Sequence, residues 1–301
     1  MRLIVCGGTG YIGTALTQAL LSRGDEVWIV TRRQPATTPY DPAMPHPRYV
    51  TWEQWNADPD RLGGFDGVVN LSGETINQRW TAKAKKRIVS SRTDAAERLA
   101  DCIGRMSAPP PVVVNASGIS LYGHSGDRVF DESSPPMPAD FLGETVMSWE
   151  AAANRIPAKR LVKLRIGLVL SRGGGAFGLI RLPYRLYFGG RIGNGKQGLP
   201  WIHLQDMVSL ILFSLDHPEI SGPVNAVAPD PVTNDEFGRA LGKATRRPHW
   251  FPVPGWALKL ALGEMSTLVL SGQKAMPRVA LSHGFEFAFP KLEEALRDIA
   301  R

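Results

Sequence analysis

With 301 residues, 43% of them apolar and 21% charged, the chain has the makeup of an ordinary globule long enough to bury a large core. It shows no apolar run of membrane-spanning length and no charged-then-apolar leader, because Gly7 interrupts the hydrophobic stretch at the N-terminus; a cytoplasmic protein without a membrane partner is expected. The formal charge of +7 is carried by basic residues that read as spread out, with no aromatic-interleaved basic stripe, which speaks for attraction of small anions and against nucleic acid.

The first element is the apolar strand Leu3-Ile4-Val5-Cys6, which runs into Gly7-Gly8-Thr9-Gly10-Tyr11-Ile12-Gly13. Gly7, Gly10 and Gly13 lack a Cβ and let backbone approach a pyrophosphate, and the helix that follows (Ala15, Leu16, Ala19, Leu20) points its N–H groups at the anion. A strand before and a helix after are the context this glycine spacing needs, so a dinucleotide site is predicted here, with Gly7, Thr9, Gly10, Tyr11, Ile12 and Gly13 in contact. Cys6 and Cys102, in a strand and a helix, form no disulfide framework.

Glu26 to Thr31 is the second strand, and its end falls beside the adenosine ribose. An acidic residue there would accept the ribose 2′-OH. The chain instead reads Thr31-Arg32-Arg33, cationic donors suited to a 2′-phosphate, so NADP(H) is favoured over NAD. Gln34 to Pro47 reads as a surface loop. The next strand, Gly67 to Leu71, delivers Leu71, Ser72, Gly73 and Glu74 to the carboxyl edge as a second cofactor contact, and Arg92 on the helix Thr81 to Ile103 is expected to face the same ligand. Val112 to Ala116 brings Ser117 and Tyr122 to that edge, where a hydroxyl can meet a substrate carbonyl or serve in a turn or in packing.

At this point the motifs carry a resemblance. The glycine turn, Asn70-Leu71-Ser72-Gly73-Glu74, Trp80, Ser91-Arg92, Ser117 with Tyr122-Gly123, Asp131 to Pro135, Trp149-Glu150-Ala151-Ala152 and Leu164-Arg165-Ile166-Gly167 resemble extended short-chain dehydrogenase/reductases. They are most similar to the atypical, YfcH-like epimerase branch with a C-terminal DUF1731 region. The resemblance spans nearly the whole chain and implies an NADP-holding Rossmann domain with a small C-terminal lobe and an undefined substrate. One departure stands out. Extended reductases use Tyr-x-x-x-Lys, in which an ammonium lowers the tyrosine pKa. No tyrosine here has a lysine four residues on, and the expected window, Asp140 to Glu150, offers Phe141 and Thr145. Ser117 with Tyr122 or Glu144 as proton carrier would support a different redox step; otherwise the fold is a silent NADP(H)-dependent sensor. Glu144 is equally a solvated helix residue.

Arg160 to Leu170 is expected as one long strand closing the Rossmann portion. Gly173 to Gly175 and Gly189 to Gly195 then flank an apolar-basic segment, Leu179 to Phe188, which reads either as a mobile cover or as plain surface loops. In Trp201-Ile202-His203-Leu204-Gln205-Asp206, Trp201 and His203 are placed in the substrate pocket, with a structural hydrogen-bonding role as the other reading of His203; one histidine and one carboxylate are too few to hold zinc, so no metal is expected. A helix from Met207 and a strand at Gly222 to Val227 should return to the large lobe, so residues 203–228 rejoin the domain of residues 1–170, while residues 171–301, with a DUF1731-like region at 249–298, form the smaller lobe. There Trp250 and Phe251 are expected in the core, with pocket lining as the other reading of this aromatic-rich tail, Phe285, Phe287 and Phe289 alternate as a strand, and Leu292 to Ile299 is an amphipathic helix.

The reading is α/β: a Rossmann-type, doubly wound parallel sheet with a smaller C-terminal α/β lobe and a substrate cleft between them. It describes an NADP(H)-binding, epimerase- or reductase-like protein acting on a small carbonyl or sugar-type molecule, with a silent sensor as the alternative and a basic nucleic-acid binder as a distant third. A homodimer through the Thr81 and Phe141 helices is compatible with it.

Overall fold

The computed structural model describes residues 1–34, 45–124 and 126–300. Its strands are β1 (Arg2–Cys6), β2 (Glu26–Thr31), β3 (Arg48–Thr51), β4 (Gly67–Asn70), β5 (Val112–Gly118), β6 (Val129–Phe130), β7 (Arg160–Ile166), β8 (Leu168–Leu170), β9 (Gly198–Leu199), β10 (Trp201–His203), β11 (Gly222–Ala226), β12 (Val232–Thr233) and β13 (Lys274–Ala275). The helices are α1 (Tyr11–Ser22), α2 (Trp52–Ala57), α3 (Ala82–Gly104), α4 (Phe141–Ala153), α5 (Phe177–Arg185), α6 (Leu204–Asp216), α7 (Asn234–Thr245), α8 (Gly255–Leu262), α9 (Thr267–Leu270), α10 (Arg278–Ser282) and α11 (Leu292–Ala300). Of the loop expected over Gln34 to Pro47, residues 35–44 lie outside the described residues.

Seven strands form one parallel sheet in the order β11-β7-β5-β4-β1-β2-β3, the order reversing on either side of β1. Strand alternation explains why both faces are covered. In β1, Leu3 and Val5 pack with Leu16 and Leu20 of α1 and Leu210 and Ile211 of α6, whereas Ile4 and Cys6 pack on the other face with Leu99, Cys102 and Ile103 of α3 and Trp55 of α2. Each fully buried side chain of this kind contributes about 1.5 to 3 kcal/mol, so the sheet is the most stable part of the molecule. Ligands of such sheets bind beyond the carboxyl ends at the switch point, which here is the end of β1.

The expected strand over Arg160 to Leu170 is broken in two. β7 belongs to the main sheet, but at Gly167 the chain turns and β8 pairs instead with β10, parallel. A Cβ on Gly167 would stand 2.7 Å from the Pro200 carbonyl oxygen, so the break is where the two lobes' backbones touch. The alternating phenylalanines do not form a strand either. The amide groups of Ala288 and Phe289 donate to the Asp206 carboxylate at 2.7 and 3.0 Å, and that of Phe285 donates to Ala280, leaving no strand ladder. The rings still pack: Phe285 meets Phe213 and Phe287 edge-on. α11 buries Leu292, Ala295, Leu296 and Ile299 against Phe177, Trp201 and Phe237 in the smaller lobe's own core.

Candidate functional site

The glycine turn is shaped by close approach. Gly7 has φ +79°, and a Cβ there would lie 2.8 Å from the Leu71 carbonyl carbon and oxygen; one on Gly13 would lie 2.2 Å from the Gly7 carbonyl oxygen. The turn therefore packs directly on the end of β4, where the amide of Leu71 donates to Cys6 and that of Ser72 to the Asn70 side chain. Asn70 and Asn115, fully buried and paired at 2.7 Å, lock the ends of β4 and β5 in register. α1 begins at Gly10 without a side-chain cap and without an acidic residue in its first turn, whereas α2, α3, α4 and α7 are closed by Thr51, Thr81, Asp140 and Thr233. Its free N–H groups and dipole suit a diphosphate, and the exposure of Thr9 and Gly10 leaves the approach open.

Thr31 ends β2 and its hydroxyl donates to the Arg33 carbonyl; Arg32 and Arg33 are exposed, with no carboxylate paired to either among the described residues. Arg92 lies against Gly73, whose added Cβ would sit 3.2 Å from the guanidinium carbon. That guanidinium stacks 5.2 Å from the Trp149 ring and spends one N–H on its own helix, at the Ile88 carbonyl. Burial lowers its pKa to about 10, against the field of Glu74, whose carboxylate is itself held by Gln78 and Arg87. The Trp149 indole N–H is buried without a partner among the described residues.

Ser117 and Tyr122 belong to a buried chain of polar groups. The Ser117 hydroxyl donates to Glu150 Oε1 at 2.7 Å; Arg165 grips both oxygens of Glu150 at 2.9 and 3.1 Å and donates at 2.8 Å to the Tyr122 hydroxyl, which donates at 2.9 Å to the Asn225 side chain. Asn225 continues it, its amide donating to Glu132 and its side chain to the Met276 carbonyl, while Glu132 also accepts from the amides of Arg278 and Val279. Burial pushes Glu150 up, but the hydrogen bonds and charge of Arg165, with Ser117 and Lys163, outweigh it and hold the carboxyl below its ordinary range. Burial raises the Tyr122 phenol despite Arg165, and the side chain is 0% exposed.

Several expected roles change with this geometry. Glu144 is exposed on α4 and is not part of the chain; the carboxylate on Ser117 is Glu150. Trp201 does not line a pocket, being buried in the smaller lobe's core with its indole N–H on the Asp230 carbonyl. His203 caps α6, accepting from the Gln205 amide, stacks on Phe289 at 4.0 Å and borders an open groove with Ala15, Ser171 and Asp298; burial lowers its pKa. Phe141 packs edge-on with Trp80 at 5.2 Å, and an ammonium does approach it, from Lys85 of α3 at 5.0 Å from the ring centre. Lys85 also pairs with Glu264 of the second lobe. Sequence reasoning did not single out Glu150, Arg165, Glu132 and Asn225 as site residues. The signal for the first two was a charge next to buried apolar positions, Glu150 beside Trp149 and Arg165 between Leu164 and Ile166. Among the described residues no cluster of three His, Cys, Asp or Glu could hold a metal, and no helix is long and apolar enough to cross a membrane.

Residues 3–142 match the NAD dependent epimerase/dehydratase family, and residues 253–299 match a domain of unknown function, DUF1731. The chain is 40% identical to mouse epimerase family protein SDR39U1 and 38% identical to Bacillus subtilis epimerase family protein YfhF, over 99% of this chain in both and 99% and 98% of the relatives. The crystal structure of human SDR39U1 (isoform 2) with NADPH superposes with a TM-score of 0.90 at 39% identity, covering 100% of this chain and 99% of that one. A close-packed glycine turn at the switch of a parallel sheet, a second lobe anchored on Asp206 and full-length similarity to these relatives lead to one statement: the chain belongs to the epimerase family that couples an NAD dependent epimerase/dehydratase domain to a C-terminal DUF1731 domain.

Proposed function

We propose that this protein binds NADP(H) at the glycine turn and works as a reductase- or epimerase-like protein on a small carbonyl or sugar-type substrate, without a Tyr-x-x-x-Lys pair. The observation that carries the reading is the uncapped start of α1 behind Gly7 and Gly13, where a side chain would fill the cradle, together with two exposed arginines at the end of β2 that have no carboxylate partner among the described residues. The human relative crystallised with NADPH supports the same ligand. Gly7 to Gly13 would hold the diphosphate, Arg32 and Arg33 the 2′-phosphate, and Leu71 to Gly73 the backbone side of the nicotinamide half. When bound, the nicotinamide supplies hydride exchange.

The protein's own part is positioning. Arg92 offers donors to an oxygen-bearing substrate beside Gly73, and Glu150 holds the Ser117 hydroxyl by a hydrogen bond. With Phe141 at the tyrosine's place, no phenolate forms there, and the proton has to come from the substrate, from water or through Ser117. A second reading is favoured by the engagement of Ser117 and Tyr122 in the buried network: a silent, NADP(H)-dependent sensor. Calorimetric titration with NADPH and NADH, followed by NADPH consumption assays over carbonyl and sugar-nucleotide panels, separates the two. Turnover lost in Ser117→Ala supports the enzyme; tight NADPH binding with no turnover on any panel supports the sensor. Indifference to both dinucleotides removes the reading altogether.

A further inference from the structure

The positive charge reads as dispersed along the sequence, but the fold concentrates it. Residues 177–197 and 243–262 hold eight of the chain's 35 Lys and Arg residues and none of its 28 Asp and Glu residues, so the remainder of the chain is close to electroneutral. These two segments lie side by side. The amides of Trp250 and Phe251 both donate to the Gly189 carbonyl, Val253 donates to Arg191, and Gly193 donates back to Val253. A Cβ on Gly190 would sit 1.9 Å from the Phe251 carbonyl oxygen, so glycine is what permits the clip.

The same surface is apolar where it should be buried by ordinary rules. On α5, Phe177 and Tyr184 face the core while Leu179, Leu182 and Leu186 form an outward stripe. It continues into Tyr187, held at φ +64°, and Phe188, which meets Phe251 edge-on at 5.8 Å. Trp250, expected in the core, is 64% exposed with its indole N–H on the Tyr187 carbonyl, and on α8 Trp256 and Leu260 are 72% and 83% exposed. Arg185, Arg191, Arg246 and Lys259 stand exposed among them, and the Arg247 guanidinium lies 4.4 Å from the Tyr187 ring centre.

We propose that this face docks peripherally on an anionic phospholipid surface, with Leu182, Leu186, Phe188, Trp250, Trp256 and Leu260 entering the headgroup–acyl boundary and the cations meeting lipid phosphates. Interfacial tryptophan, aliphatic side chains and basic residues without carboxylates are the combination that such a boundary selects. A second copy is disfavoured, because a two-fold contact through this face sets Arg185, Arg191, Arg246 and Lys259 against the same four with no carboxylate from either segment. Single-stranded nucleic acid would use the aromatics and the cations but gives the leucines nothing to stack on. This departs from the sequence expectation of no membrane partner: no helix among the described residues is long and apolar enough to cross a membrane, and a docked face needs none.

The test is co-sedimentation of the full chain with vesicles of phosphatidylcholine alone and of phosphatidylcholine mixed with phosphatidylglycerol, with tryptophan emission read in parallel. Binding to the mixed vesicles, a blue shift, and loss of both in high salt are expected, with roughly tenfold weaker partitioning to the neutral vesicles. Trp250→Ser combined with Trp256→Ser, and separately Arg185→Glu with Lys259→Glu, each lower binding by roughly tenfold or more at unchanged melting temperature. Since all four side chains are exposed, both pairs are expected to fold; a variant that melts earlier is replaced by Leu260→Ser, judged on the same criterion. Failure to sediment with anionic vesicles, equal binding by wild type and variants, concentration-dependent dimerisation that the variants abolish, or preferential retention of single-stranded oligonucleotide would each overturn it.

Discussion

The methyl group that Gly13→Ala adds lands 2.2 Å from the Gly7 carbonyl oxygen, in the turn that shapes the dinucleotide cradle. Either the helix moves off the sheet or the turn opens, at a cost of about 1 to 3 kcal/mol, so we expect a lower urea midpoint together with loss of NADPH binding in a fluorescence titration. Arg32→Ala with Arg33→Ala changes no packing, since both side chains are exposed. NADPH affinity is expected to fall roughly tenfold or more with NADH affinity little altered, because only the former loses charge-assisted hydrogen bonds. Glu150→Gln leaves Arg165 buried without its counter-charge, which costs about 3 to 5 kcal/mol near neutral pH. The sign of the pH effect follows from its lowered folded pKa: its contribution is present above the unfolded value of ~4.3 and is lost as pH falls through the folded one. Wild type and variant should therefore converge in stability in acid. Glu132, raised by burial beyond what its backbone donors offset, works in the opposite sense and blunts the acid slope.

At the level of elements, what could be foreseen was what local sequence dictates. The glycine turn, the strands β1, β2, β4 and β5 and the helices Ala82–Gly104 and Leu292–Ala300 follow from period and punctuation within short windows, whereas the edge strand Arg48–Thr51 was not foreseen. The partner of Ser117 did not, because Glu150 arrives from 33 residues away by a crossover whose helix rotation the period alone leaves open. Phe285, Phe287 and Phe289 show the opposite failure: their alternation is real, yet the amides of Ala288 and Phe289 are claimed by Asp206, a residue some 80 positions earlier, and that of Phe285 by Ala280. Trp250 and Phe251 look like core by composition, but backbone bonds to Gly189 hold them on the outside. The left-handed cap of α7 gives a direct test of element energetics. Arg246 sits there at φ +54°, and Arg246→Gly is expected to stabilise the fold by about 1 kcal/mol, measured as a rise in melting temperature.

Across the whole molecule, the C-terminal region is not an appendage. α11 fills the smaller lobe's core, Asp206 at the start of α6 holds residues 288 and 289, and Glu132 from the large lobe holds the start of α10. Ending the chain before residue 253 would strip these partners from buried carboxylates, and we expect such a truncation to be insoluble or rapidly proteolysed while the full chain resists.

Tyr11, at the first position of α1, presses its ring against Gly174 and Gly175 and donates its phenolic proton to Ser171. A ligand that shifts Tyr11 would thereby act on Ser171, 160 residues later in the chain, and by thermodynamic reciprocity the reverse holds too. Deuterium uptake at residues 171–176 should slow on NADPH addition, and Ser171→Ala should loosen nucleotide retention by freeing the Tyr11 hydroxyl.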